Sequence, residues 1–149
     1  MIKAGSYIKS TAALRGSFFE DAIILIIENN ADGAEGFVVN KPLGRSLHEL
    51  EEFRHSQPFP IFEGGPVDPE HIYILHSRPD LIEGGQPLSN GMYAGGSILQ
   101  VIDAINAIGA SKDEIKLFIG YCGWDAGELE MELQEGSWTV LQESRSVFS

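Results

Sequence analysis

The sequence predicts an α+β fold, a mixed or largely antiparallel sheet with about three flanking helices. Three observations carry this. The run Ala22-Ile23-Ile24-Leu25-Ile26-Ile27 is β-branched, apolar throughout and one strand long. Ser46-Leu47-His48-Glu49 and Ser97-Ile98-Leu99-Gln100 both have capping-box spacing ahead of apolar positions at helical intervals. The order of elements is strands, short helix, strands, long helix, strand, helix, strand, which is not the regular alternation of a doubly wound parallel sheet.

Taken in order, residues 22–28 read as a strand that is apolar on both faces and so central in the sheet. Asn29-Asn30-Ala31-Asp32-Gly33 supplies turn residues, and Gly36 to Asn40 returns as the second arm of a hairpin. A short helix from Ser46 to about Phe53 would place Leu47, Leu50 and Phe53 on one face, and Pro58 and Pro60 bar its continuation. Ile61 to Glu63 and Ile72 to His76 are two further strands. Pro79 to Gly96 is rich in breakers and reads as a loop or irregular hairpin. The helix 97–108 buries Ile98, Val101, Ile102, Ile105 and Ile108, and Gly109 stops it. Ile115 to Tyr121 is a strand. Asp125 to Glu135 is a helix with Ala126, Leu129 and Leu133 inward and its glutamates solvated. Gly136 ends it before a last strand, Ser137 to Leu141.

The 149 residues suit one domain, with 43% hydrophobic and 21% charged residues, an ordinary globular balance that argues against disorder. The formal charge of −12 argues against a nucleic-acid backbone or an anionic membrane as the main partner. One cysteine excludes an intramolecular disulfide framework and a multi-cysteine zinc site. The N-terminus has no signal-peptide pattern and the longest apolar run is too short to span a bilayer, so the expected location is cytoplasmic.

The chemistry-bearing stretches are few. Gly120-Tyr121-Cys122-Gly123-Trp124-Asp125 reads as a strand end, a glycine-rich turn and a helix start. It lacks both phosphate-loop patterns, and Asp125 and Glu128 would repel an anion there. The better reading is a tight turn that seats Trp124 on the core. Its indole N–H would then bond a carbonyl or water, with Gly123 and Gly127 allowing close approach. Cys122 paired with His71 or His76 would be a nucleophile, but the acidic neighbours and the missing local signature favour a buried, inert thiol. His48, His55, His71 and His76 have no metal-binding spacing, and no cofactor motif is present. Asn40-Lys41-Pro42-Leu43 and Glu63-Gly64-Gly65-Pro66 each end a strand in a rigid turn. If the two turns meet, Asn40, Lys41, Gly64 and Gly65 would line a small polar pocket, joined by His76, Tyr121 and Trp124.

The same stretches carry a family resemblance. Gly36-Phe37-Val38-Val39-Asn40-Lys41-Pro42-Leu43, Gly64-Gly65-Pro66-Val67, Leu75-His76-Ser77 and Gly120 through Glu130, with Trp138 downstream, resemble in order the AlgH/YqgE family. The resemblance implies a cytosolic bacterial protein with a compact α+β fold and a barrel-like sheet. It implies no catalytic residue and no cofactor, and members often carry the label of transcriptional regulator. The chain departs from the family pattern at Gly16 and Asp21, where an Asp and an Arg are usual, and at Cys122 and Glu128. With no complete catalytic set, the expected function is a non-enzymatic regulatory or protein-binding module. Direct DNA binding is disfavoured because neither main helix carries Lys or Arg. The third alternative is a small-molecule binder or enzyme using the pocket at the Asn40, Gly64 and Tyr121 turns.

Overall fold

The computed structural model describes residues 2–141. Ten strands form one sheet with two wings. In chain order they are β1 (Tyr7–Ser10), β2 (Ile23–Asn30), β3 (Gly33–Val38), β4 (Pro42–Ser46), β5 (Pro60–Glu63), β6 (Val67–His76), β7 (Gln86–Pro87), β8 (Tyr93–Ala94), β9 (Ile115–Asp125) and β10 (Trp138–Val140). Helix α1 is Ile98–Asp103, continued by a π-type turn Ala104–Ile108, and α2 is Glu128–Gln134.

The apolar run at Ile23 becomes the interior strand expected of it, paired with β1 on one edge and β3 on the other. Strand β9 is the spine. Its first half pairs with β6 antiparallel, Ile72 opposite Ile119 through His76 opposite Ile115, and with β5 in parallel from Ile61 opposite Leu117. Its second half pairs with β3, Gly36 opposite Cys122 through Gly33 opposite Asp125. One wing therefore reads β10-β1-β2-β3-β9 and the other β4-β5-β9-β6-β8-β7, and the path does not close into a barrel. The wings face one another across a core in which Phe37 and Phe118 stack with centroids 4.5 Å apart. Helix α1 covers the outer face of the second wing over Leu47, Ile61, Ile74, Leu117 and Ile82. Helix α2 covers the outer face of the first over Ile24, Val38, Trp124 and Trp138.

Three expectations are corrected. The strand expected to end at Tyr121 runs on through Asp125, so Cys122 to Asp125 is strand rather than a turn and helix start. Gly120 has φ +75 and bends β9 from one wing into the other, and its α-carbon lies so close to Gly65 that a Cβ would overlap the Gly65 carbonyl. Helix α2 accordingly starts at Glu128, after Gly127 at φ +77, and Ala126 is exposed. The segment 46–53 is two 3-10 turns, Leu47–Glu49 and Glu51–Phe53, because Leu50 is extended. The Leu47 N–H is bonded to the Phe59 carbonyl, and 3-10 geometry suits apolar residues three apart better than an eight-residue α-helix would. Pro42 to Ser46 is a strand against β5 rather than the tail of a turn.

Candidate functional site

The two turns singled out in the sequence do meet. The Val38 N–H donates to the Gly64 carbonyl at 2.9 Å, and the Glu63 N–H to the Lys41 carbonyl at 2.8 Å. Their polar groups are spent internally. Asn40 is a clamp: its side-chain oxygen accepts from the Ile23 N–H at 3.0 Å and its amide donates to the Asp21 carbonyl at 2.9 Å. Lys41 lies 3.7 Å over the Phe18 ring and donates to the Phe18 carbonyl. Gly64 and Gly65 are buried, and a Cβ on either would strike the backbone of Gly120 or Tyr121. These glycines form a close backbone crossing.

His76 and Trp124 lie away from that crossing, on β6 and at the end of β9. The His76 side chain is wholly buried under the Gly84-Gly85 and Gly95-Gly96 hairpin, stacked on Tyr93 at 5.4 Å. Its Nδ1 accepts from the Arg78 N–H at 3.0 Å, and its Nε2 has no partner among the described residues. Burial lowers its pKa, with Asp80 opposing. Trp124 is 8% exposed, as expected of a core residue, but its indole N–H donates at 3.1 Å to the Glu132 carboxylate, not to a carbonyl or water. The same oxygen accepts from the Trp138 indole at 2.9 Å, so Glu132 is a structural acceptor rather than a solvated glutamate. Gly123 and Gly127 make no close approach. Cys122 is buried and its thiol is pushed up to about 12 by desolvation, which matches the inert reading.

Tyr121 points into the space between the wings, where sequence reasoning missed its partners. Tyr73 meets it edge-on at 5.4 Å and donates to Asp68 at 2.9 Å. Burial first, then the Asp68 bond, pushes the Tyr73 phenol up to about 12. Burial raises Tyr121 as well, with Glu35 and Asp68 adding to it. Also missed was Lys116, whose ammonium donates to the Val39 carbonyl at 2.8 Å and rests 4.0 Å over the Phe62 ring. Desolvation lowers its pKa to about 8.

A second feature is a groove of about 560 Å³ on the outer face of the second wing. Leu43 and Leu50, Phe53, Ile72, Ile98 and Ile119 line it, and Arg45, Glu51, Glu52, Glu70 and His71 stand on its rim. It exists because the 3-10 turns and the N-terminus of α1 do not close over β6. On α1, Leu99 is 78% exposed. No group of three or more metal-ligating side chains occurs among the described residues. No helix among them is long and apolar enough to cross a membrane.

Fold and surfaces together define a class: an α+β protein of two sheet wings joined through one shared strand, with an open apolar groove on one outer face. The chain belongs to the AlgH-like family, whose model (DUF179) matches residues 7–149. UPF0301 proteins of Chlorobium phaeobacteroides and Chlorobaculum tepidum are each 34% identical to it. The first aligns over 98% of this chain and 78% of its own length, the second over 100% and 80%. The solution structure of the AlgH protein from Pseudomonas aeruginosa superposes with a TM-score of 0.73 at 25% identity, covering 94% of this chain and 77% of that one. A Corynebacterium diphtheriae protein shares the fold, with a TM-score of 0.72 at 16% identity over 99% of this chain and 84% of its own.

Proposed function

We propose that this protein is a non-enzymatic regulatory module of the cytoplasm that docks a protein segment with an apolar face and basic flanks. The observation that carries the reading is the groove at Leu50, Phe53 and Ile72, which is apolar along its floor and acidic at its rim. Glu51, Glu52 and Glu70 oppose the single Arg45, and Glu51 is already paired with Arg54 at 2.7 Å. Glu52 and Glu70 are then the carboxylates open to an incoming cation. The net charge of −12 adds long-range attraction for a basic segment. DNA is disfavoured as the partner, since neither α1 nor α2 carries Lys or Arg to meet a phosphate.

The test uses two amphipathic peptides with the same apolar face, one flanked by lysines and one by glutamates. The lysine peptide should bind more tightly and weaken with salt. The pair Glu52→Lys and Glu70→Lys should lower its affinity by about tenfold, equivalent to ~1.4 kcal/mol. Equal binding of both peptides, or binding indifferent to the rim reversal, overturns the reading. So does reversible self-association that buries Leu50, Phe53 and Ile72, because the groove would then belong to a second copy of the chain.

A further inference from the structure

The hairpin β7–β8 is the outer edge of the second wing. Its apolar residues Leu88 and Met92 pack into the interior cluster with Tyr7, Phe37, Leu75 and Phe118. Two ladder pairs tie it to β6, Leu75 opposite Ala94 and His76 opposite Tyr93, and the Gly95 N–H donates to the Ile74 carbonyl at 2.8 Å. Its base is pinned. Ile82 is buried, the Ser97 N–H donates to the Glu83 carbonyl at 3.0 Å, and the Glu83 N–H donates to the Gln100 side chain at 2.6 Å. Just past these pins the chain turns at Gly84 and at Gly95-Gly96, with φ +90, +91 and +130, where glycine is unstrained. A cavity of about 260 Å³ runs along the inner side of the hairpin, between Gln86, Ala94 and Gly95 on it and Ile27, Phe37 and Tyr73 on the wings.

His76 lies wholly buried under the glycine base of this hairpin. The Arg78 N–H bonded to Nδ1 assigns the neutral tautomer, with the ring hydrogen on Nε2. Nε2 faces Gly85 and Gly96, where a Cβ would stand 3.0 and 3.6 Å from it, so its cover is bare backbone. A second proton has to enter at Nδ1. It removes the acceptor of the Arg78 N–H and leaves a cation with unpaired N–H groups in a site closed to water. Few charges face the ring. Arg78 is held by Asp80 at 2.8 Å and by Glu114, the neighbour of Ile115 on β9, at 2.6 Å. Glu83 on the base of the hairpin and Asp103 on α1 are exposed, β8 contributes Tyr93, and Lys116 on β9 is bonded to the Val39 carbonyl on the other face.

We propose that the hairpin from Gly84 to Gly96 is a lid latched by neutral His76, and that proton uptake by this ring in mildly acidic solution opens the lid and uncovers the apolar cleft between the wings. Swinging the hairpin about its glycines hydrates both ring nitrogens. The cost is two ladder pairs and the burial of Leu88 and Met92. Burial outweighs Asp80 at the ring, so the closed chain holds the proton less tightly than an ordinary histidine does. The open form binds more protons. Opening therefore rises as pH falls below about 6.5 and levels off once the closed form is protonated too. The lid is separate from the outer groove and stands whether or not that groove docks a peptide.

The experiment is amide hydrogen exchange of the full chain, read residue by residue by NMR between about pH 7.5 and 5 and corrected for the intrinsic exchange rate. Below about pH 6.5 the Gly95 amide and the ladder amides of β8 should lose protection by up to about tenfold per pH unit. The Ile26 and Val38 amides, bonded to the Ser6 and Gly64 carbonyls, should keep theirs. His76→Gln, which does not titrate, should hold the hairpin at one level of protection across the range. In the parent, the midpoint of the loss should coincide with the titration of the His76 ring nitrogens, a comparison that stands even if the variant does not fold. Three outcomes overturn the proposal: a loss shared equally by β2, β3 and the hairpin, which is global unfolding; hairpin protection that is unchanged while the His76 ring titrates; or the same pH response in His76→Gln.

Discussion

Under α2, two indoles share one carboxylate oxygen, Trp124 and Trp138 meet edge-on at 6.1 Å, and Leu129 seals the layer. Under α1 the arrangement is looser. Ile98 and Phe53 leave a groove, Leu99 faces solvent, and the wholly buried His76 keeps one nitrogen without a partner among the described residues. Both faces rest on β9. They differ in how completely their polar groups and apolar surface are satisfied by the chain itself. A face that satisfies itself contributes stability, whereas one that stops short keeps surface for another molecule.

Several changes would break or sharpen that contrast. The largest effect should fall on the crossing both faces share. Gly65→Val places side-chain atoms into the Tyr121 backbone and should cost more than about 4 kcal/mol, read as loss of a cooperative urea transition. Next comes the closed face: Trp124→Ala should cost about 3–5 kcal/mol by emptying a large buried site. An unchanged urea midpoint would instead make Trp124 a surface residue. Glu132→Ala strands two indole N–H groups and should cost about 1–3 kcal/mol, with Glu132→Gln milder because an oxygen acceptor is kept.

The open face should respond to pH. His76 titrates lower in the folded chain than its ordinary 6.5, so the unfolded chain binds more protons between those two values. Stability should therefore fall as pH drops below about 6.5 and level off beneath the folded value. The groups around it are Asp80, which opposes the shift, the Arg78 backbone N–H and the Tyr93 ring. His76→Phe should flatten that limb of a pH–stability curve, and an unchanged limb would assign it to other groups. The smallest effect belongs to the solvent side of α1: Leu99→Ser should move stability by no more than about 0.5 kcal/mol. A larger loss would show that Leu99 packs into the core.

Much of the fold was legible because local chemistry and tertiary structure agree there. The Ile23 run, the glycine stops at Gly109 and Gly136, and the Ser97 cap all appear where the pattern put them, the Gln100 N–H bonding the Ser97 hydroxyl at 3.3 Å. The Gln100 side chain, however, leaves the capping box and accepts from the Glu83 N–H at 2.6 Å, a partner seventeen residues away that no local rule supplies. The two-residue strands β7 and β8 and the four-residue β1 were illegible because their pairing, not their composition, makes them strands.

The candidate site divides in the same way. Residue types alone determined the family, the net acidity and the reading of an inert buried thiol, since these follow from motif order, charge count and the acidic neighbours and missing nucleophile signature around Cys122. Tertiary structure alone decided that Gly64, Gly65 and Gly120 are spent on a backbone crossing, that Asn40 is a clamp, and that Tyr121 faces Tyr73. It also set Glu28 directly opposite Glu35 across the β2–β3 ladder. A glycine in sequence looks the same whether it makes a turn or lets two backbones touch, and a carboxylate carries no sign of what will stand opposite it. Register across the sheet supplies both, and register is a property of strands far apart in the chain.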